Sequence, residues 1–140
     1  MPVGAVFRDV EDLAAAVLDL YRGGAPLWHL GFLNAAMARA KGLEERHVLF
    51  GAYPEGRVPW VESALKRASE FHGGRVVSRK EARRIWEQRF FPAYPLGPTP
   101  TTGRAFIRGT RLAPTLAELE RSWWGWRSKE RSPGWARWHF

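Results

Sequence analysis

Cysteine is absent from the 140 residues, which excludes disulfides, thiol catalysis and thiolate metal ligands. No run approaches the roughly twenty apolar residues that a membrane-spanning helix needs. The start, Met1-Pro2-Val3-Gly4, has neither a basic n-region nor an apolar h-region, so no secretory signal is expected. A cytoplasmic protein fits these absences. Asn34 is the only asparagine and Gln88 the only glutamine, and arginine far outnumbers lysine. Scarce thermolabile side chains point to a thermophilic source or to a GC-rich genome. Histidine is sparse too: His29, His47, His72 and His139 show no i, i+4 pair, so no metal motif is expected. His29 and His47 fall in predicted strands and read as structural or exposed. None of the four has an acid-base partner visible in sequence, so none is assigned a catalytic role.

What is present is one domain's worth of chain with an ordinary apolar fraction of 45%, enough for a core. The net charge is +8. Six basic residues crowd one stretch: Arg75, Arg79, Lys80, Arg83, Arg84 and Arg89, against Glu81 and Glu87. Such a cluster reads as a nucleic-acid footprint, as a solvated helix face, or as a surface for an acidic partner.

Periodicity supplies the elements. Gly4 to Arg8 reads as a strand, and Asp9 as the cap of a helix carrying Val10, Leu13, Ala14, Val17, Leu18 and Tyr21. Gly23-Gly24 stops that helix. Trp28 to Leu33 is a second strand, Asn34 to Ala40 a helical turn, and His47 to Tyr53 a third strand. A helix from Val58 to Phe71 follows, with Pro59 in its first turn and Val58, Val61, Ala64, Leu65, Ala68 and Phe71 as its buried stripe. Gly73-Gly74 ends it, and Arg75 to Val77 returns as a strand. Ser78-x-x-Glu81 is a capping box opening a helix with Ala82, Ile85, Trp86 and Arg89.

Residues 91–103 hold four prolines and two glycines and read as a long loop. Arg104 to Arg108 is a further strand candidate. Thr115-x-x-Glu118 opens a last helix with Leu116, Leu119 and Trp123. The order strand, helix, strand, strand, helix, strand predicts an α+β fold, a ferredoxin-like antiparallel sheet with helices mainly on one face. The expected division is a cap-like domain over residues 1–120 and a basic tryptophan-rich tail over 121–140, with a candidate last strand at Trp135 to Phe140.

Several motifs in this order resemble the substrate (cap) domain of FAD-linked oxidases, the group that includes D-lactate and glycolate dehydrogenases. They are Phe7, then Asp12-Leu13-Ala14-Ala15-Ala16-Val17, Gly23-Gly24 and Leu33-Asn34-Ala35-Ala36. They continue with Glu55-Gly56, the long helix, Gly73-Gly74, the Trp86-x-x-Arg89 segment and Leu112 to Leu119. The similarity spans roughly Val3 to Leu119.

The resemblance implies a flavoprotein oxidoreductase in which hydride passes from a 2-hydroxy acid to flavin while the cap orients the substrate. It implies that Arg89 binds the substrate carboxylate, as a bidentate cation suits. Trp86, one turn earlier, would wall the pocket or stack on that guanidinium; burial in the core is its plainer role. No glycine-rich flavin cradle is visible before or after this segment. FAD is therefore expected only through a flavin-binding partner chain, and no turnover by the isolated chain.

Trp124, Trp126, Trp135 and Trp138 alternate with arginines near the C-terminus and are candidate interface residues, for a partner or for self-association. The competing readings are a basic nucleic-acid or regulatory module on a ferredoxin-like sheet, and an inactive remnant. Against the first, no basic-Gly-aromatic sheet motif is present.

Overall fold

The structure, a computed structural model, describes residues 1–89, 111–127 and 137–139. In chain order the elements are β1 (Pro2–Phe7), α1 (Val10–Arg22), β2 (His29–Leu33), α2 (Ala35–Ala40), β3 (His47–Ala52), α3 (Val58–Phe71), β4 (Arg75–Val76), α4 (Arg79–Glu87), α5 (Leu112–Arg127) and β5 (Arg137–His139). A short 3-10 turn, Glu55–Arg57, leads into α3. The five strands form one sheet in the order β4-β1-β3-β2-β5. Every pairing is antiparallel. The first four strands have the ferredoxin-like order, reached by two split crossovers through α1 and α3. The fold is α+β, as the alternation of elements predicts.

Strand alternation decides which side chain goes to which layer. Val3, Ala5 and Phe7 of β1 join Phe32 and Leu49 beneath α1, α3 and α5. Val6, Leu33, Val48 and Phe50 point the other way, under α2 and α4. The three longer helices thus share one face, and two shorter ones cover the other. Full burial of side chains such as Phe7, Leu13 and Phe50 is worth about 1.5–3 kcal/mol each. The chain start is tied in as well: the Met1 ammonium donates to the Tyr53 carbonyl at 2.7 Å, and the Tyr53 amide donates to the Met1 carbonyl at 3.0 Å.

Both double glycines close helices by the same device. Gly24 (φ 64°) and Gly73 (φ 68°) adopt the left-handed conformation, and the next amides, of Ala25 and Gly74, bond back to the carbonyls of Leu20 and Ser69.

Several expectations are corrected. Phe71 is 80% exposed rather than part of the buried stripe of α3, and Ser69 is fully buried. Ser69 faces the sheet, and two more residues turn the chain by about 200°, carrying Phe71 to the outside. Tyr21 is 86% exposed, in the last turn of α1 where no described element covers it. Asp9 occupies the N-cap of α1 but its side chain makes no capping bond. Arg89 lies beyond α4, whose C-cap is Gln88. Helix α5 begins at Leu112, ahead of Thr115, and runs continuously across residues 120 and 121. The long loop of residues 91–103, the strand expected at Arg104 to Arg108, and Trp135 lie outside the described residues.

Candidate ligand site at the end of α4

Helix α4 carries Trp86, and Arg89 follows its C-cap; these are the two residues that the sequence nominates for substrate binding. The Ser78 hydroxyl accepts from the Glu81 amide at 3.2 Å and starts the helix. Ala82 and Ile85 then bury against the sheet. Beneath them, a Cβ at Gly4 would lie 3.1 Å from the Leu49 carbonyl oxygen and 3.3 Å from Val77 Cγ2, and at an ordinary 3.8 Å from Ile85 Cδ1.

One residue after Ile85, Trp86 is half-buried at the margin of this layer. Its ring stands edge-on to His29, with centroids 5.4 Å apart at 77°, and 6.5 Å from Phe50 at 67°. His29 in turn lies 5.7 Å from Phe50. Aromatic pairs favour such edge-to-face arrangements. Room for these rings comes from Gly31, where a Cβ would meet Phe50 Cζ at 2.8 Å and His29 Nε2 at 3.3 Å.

The guanidinium of Arg89 lies over the Trp86 ring of this cluster. Its central carbon is 4.0 Å from the Trp86 ring centroid, and Nη1 donates to the Trp86 carbonyl at 2.7 Å. Lys41, at the end of α2, donates through Nζ to the Gln88 carbonyl. Two cations therefore meet the carbonyl end of α4, where the helix dipole favours positive charge. Gln88 Oε1 is buried beside them without a hydrogen-bond partner among the described residues. Arg89 and Trp86 are thus brought together as the Trp-x-x-Arg spacing suggests, although through a turn rather than a continued helix. Sequence reasoning missed His29, Lys41 and Gln88. The one signal available was Gly31 inside a strand, which marks close approach of another group.

The basic stretch is largely committed within the molecule. Arg75 pairs with Glu44 at 3.0 Å and Arg79 with Glu62 at 2.9 Å. Arg84 donates to the Gly42 carbonyl at 2.8 Å. The sheet face that ferredoxin-like nucleic-acid binders leave open for base stacking is covered here by α2 and α4.

The tryptophans expected at an interface lie on different elements. Trp124 and Trp126 belong to α5, which packs over α1 on the face away from Arg89. Trp138 belongs to β5, in register with Phe32 at the sheet edge.

Two buried titratable groups sit away from this site. His47 is buried at the far end of the β2–β3 pair; its pKa is lowered, first by desolvation, against the opposing pull of Asp9 and Glu11. Tyr53 has a raised pKa, first through burial and then through Glu62. Among the described residues no group of three or more His, Asp or Glu could hold a metal ion. No helix among them is long and apolar enough to cross a membrane.

Neither double glycine forms a cradle for the pyrophosphate of a flavin dinucleotide. A pyrophosphate seeks glycine-rich backbone at a helix N-terminus. Here Gly23-Gly24 and Gly73-Gly74 follow the C-termini of α1 and α3, where carbonyls point outward. Comparison with family models, with curated proteins and with solved structures gives no match to this chain.

Proposed function

We propose that this chain is the substrate-side module of a flavin-linked oxidoreductase for 2-hydroxy acids, acting with a separate flavin-binding chain. The observation that supports it is the Arg89 guanidinium laid on the Trp86 ring beside His29. A planar cation held on an aromatic wall is suited to a carboxylate, which it binds through two parallel hydrogen bonds. Trp86 backs the guanidinium at 4.0 Å, and the Nη1 bond to the Trp86 carbonyl anchors it. In this reading the module binds and orients the acid, and the redox chemistry belongs to the flavin on the partner.

The nucleic-acid reading has weaker support, because Arg75, Arg79 and Arg84 have intramolecular acceptors.

The experiment is capture of the full chain from extract of its native cells, with an absorbance spectrum of what is retained. A co-purifying chain that carries the twin flavin bands is the expected result. A colourless preparation with no second chain overturns the proposal.

A further inference from the structure

We propose that the pocket at the C-terminal end of β1 binds a small zwitterion, an α-amino acid. Its volume is about 460 Å³, and both signs of charge line it: Arg8, Arg46 and Arg75 against Asp9, Asp12 and Glu44. The sheet register brings these residues together. Val6 is paired with Arg75 of β4, and Phe7 with His47, the residue after Arg46. Arg8 and Asp9 lead from β1 into α1, and Asp12 lies in the first turn of that helix. Val6 and Phe7, both buried, supply an apolar part of the lining.

On the strand side one carboxylate serves two guanidiniums: Glu44 accepts from Arg46 Nε at 3.2 Å and from Arg75 Nη2 at 3.0 Å. That corner keeps a surplus of positive charge, to which Arg8 adds. On the helix side Asp9 and Asp12 form a surplus of negative charge. The side chains of Arg8, Asp9 and Asp12 make no hydrogen bond or ion pair among the described residues, although Asp12 is half-buried. Opposite Asp12 stands Gly73, in the left-handed conformation, where even a Cβ would lie 3.9 Å from Asp12 Oδ2. The chain thus places no side chain over this carboxylate from the end of α3.

An α-amino acid matches both sides. Its carboxylate accepts paired hydrogen bonds from a guanidinium, and its ammonium donates to carboxylates. Singly charged molecules are selected against: a simple anion meets Asp9 and Asp12, and a simple cation meets the arginines. The volume falls within the range of small-molecule sites, about 300–1,000 Å³, and leaves room for a side chain beyond the two charged groups. Acids in the first turn of α1 also complement the helix dipole, but that role needs no arginines gathered opposite them. His29 is paired with Ala52, and Ala52 with Pro2, so the Arg89 and Trp86 cluster stands at the other end of the sheet. This proposal does not rest on that site.

The test is thermal melting of the full chain with each proteinogenic L-amino acid at millimolar concentration, followed by calorimetric titration of those that raise the Tm. At least one is expected to bind. Its amide, which lacks the carboxylate, and its N-acetyl derivative, which lacks the ammonium, should each bind about tenfold more weakly or worse, the worth of a charged hydrogen bond. Arg8→Gln and Asp12→Asn should weaken binding similarly with unchanged far-ultraviolet circular dichroism. Arg83→Gln, which removes the same charge from the exposed face of α4, should bind as the native chain does. Absence of binding by every amino acid overturns the proposal. So does equal binding of the amide or the N-acetyl derivative by the native chain, a readout that holds even where a variant fails to fold. Native affinity in both folded pocket variants, or an equal loss in Arg83→Gln, overturns it too.

Discussion

Arg89 stands over Trp86, its guanidinium carbon 4.0 Å from the ring centroid, while Nη1 donates to the carbonyl of the same residue at 2.7 Å. One side chain thus both closes the last turn of α4 and presents a fixed cation. The two roles are separable by substitution. Arg89→Lys keeps the charge and loses the stack and the planar fork. Titration with glycolate or D-lactate, followed by tryptophan fluorescence, should show binding to the native chain. Arg89→Lys should weaken it about tenfold or more, the worth of a charged bidentate hydrogen bond. Denaturant melts of Arg89→Ala should show a loss of about 1–2 kcal/mol from the cap and the stack. Unchanged affinity in Arg89→Lys would confine the residue to the capping role.

Gly31→Ala tests the packing behind the site. The new methyl would meet Phe50 Cζ at 2.8 Å and His29 Nε2 at 3.3 Å. Both rings sit in a packed layer, so the cost should be about 1–3 kcal/mol. Near-ultraviolet circular dichroism should change with it, because Trp86 rests on the same rings. A variant as stable as the native chain, with the native spectrum, would mean that the layer is loosely packed.

His47 makes the fold sensitive to acid. Its folded pKa is lowered from 6.5 by burial, so the unfolded chain takes up the proton first. Stability is fully present above about pH 6.5 and falls as pH drops through that value towards the folded pKa. Denaturant midpoints at successive pH values should decline over this window. In His47→Gln, which has no titrating group there, the decline should be shallower. An identical slope in both would assign the acid sensitivity to the carboxylates.

Tyr53 titrates above its ordinary 10.0, through burial first and then through Glu62. The Tyr53 hydroxyl donates to Glu62 Oε1 at 3.2 Å, and the same oxygen accepts from Arg79 Nη2 at 2.9 Å. Removing the negative charge in Glu62→Gln should bring the phenol's titration closer to 10. Loss of the Arg79 pair, which is solvent-exposed, should cost less than about 1 kcal/mol. Ultraviolet phenolate absorbance reports the first effect and denaturant melts the second. An unshifted titration would leave burial as the sole cause.

The elements were legible because their signals are local. The continuous apolar run of β1, the i, i+4 stripes of α1 and α3, the Ser78 cap and the paired glycines each constrain a few neighbouring residues. The bounds of α3 match the expected Val58 to Phe71. Exposure was less legible. Helical spacing placed Phe71 on the inner stripe, but where the sheet ends relative to the last turn is not written in the periodicity. Arg89 was read as helical for a similar reason: its spacing continues the helical pattern, and periodicity does not show that α4 stops at Glu87 with Gln88 as its C-cap.

By itself, the sequence determined the order of elements, the absence of thiol chemistry and the positive charge, because these depend on residue identity and short spacing. Tertiary structure decided which strands became neighbours, and so which basic residues are spent on internal acceptors such as Glu44, Glu62 and the Gly42 carbonyl. It also brought His29, from the start of β2, against Trp86, fifty-seven positions later in the chain. Contacts across such separations arise only when α4 folds back onto the sheet, and no local pattern encodes them.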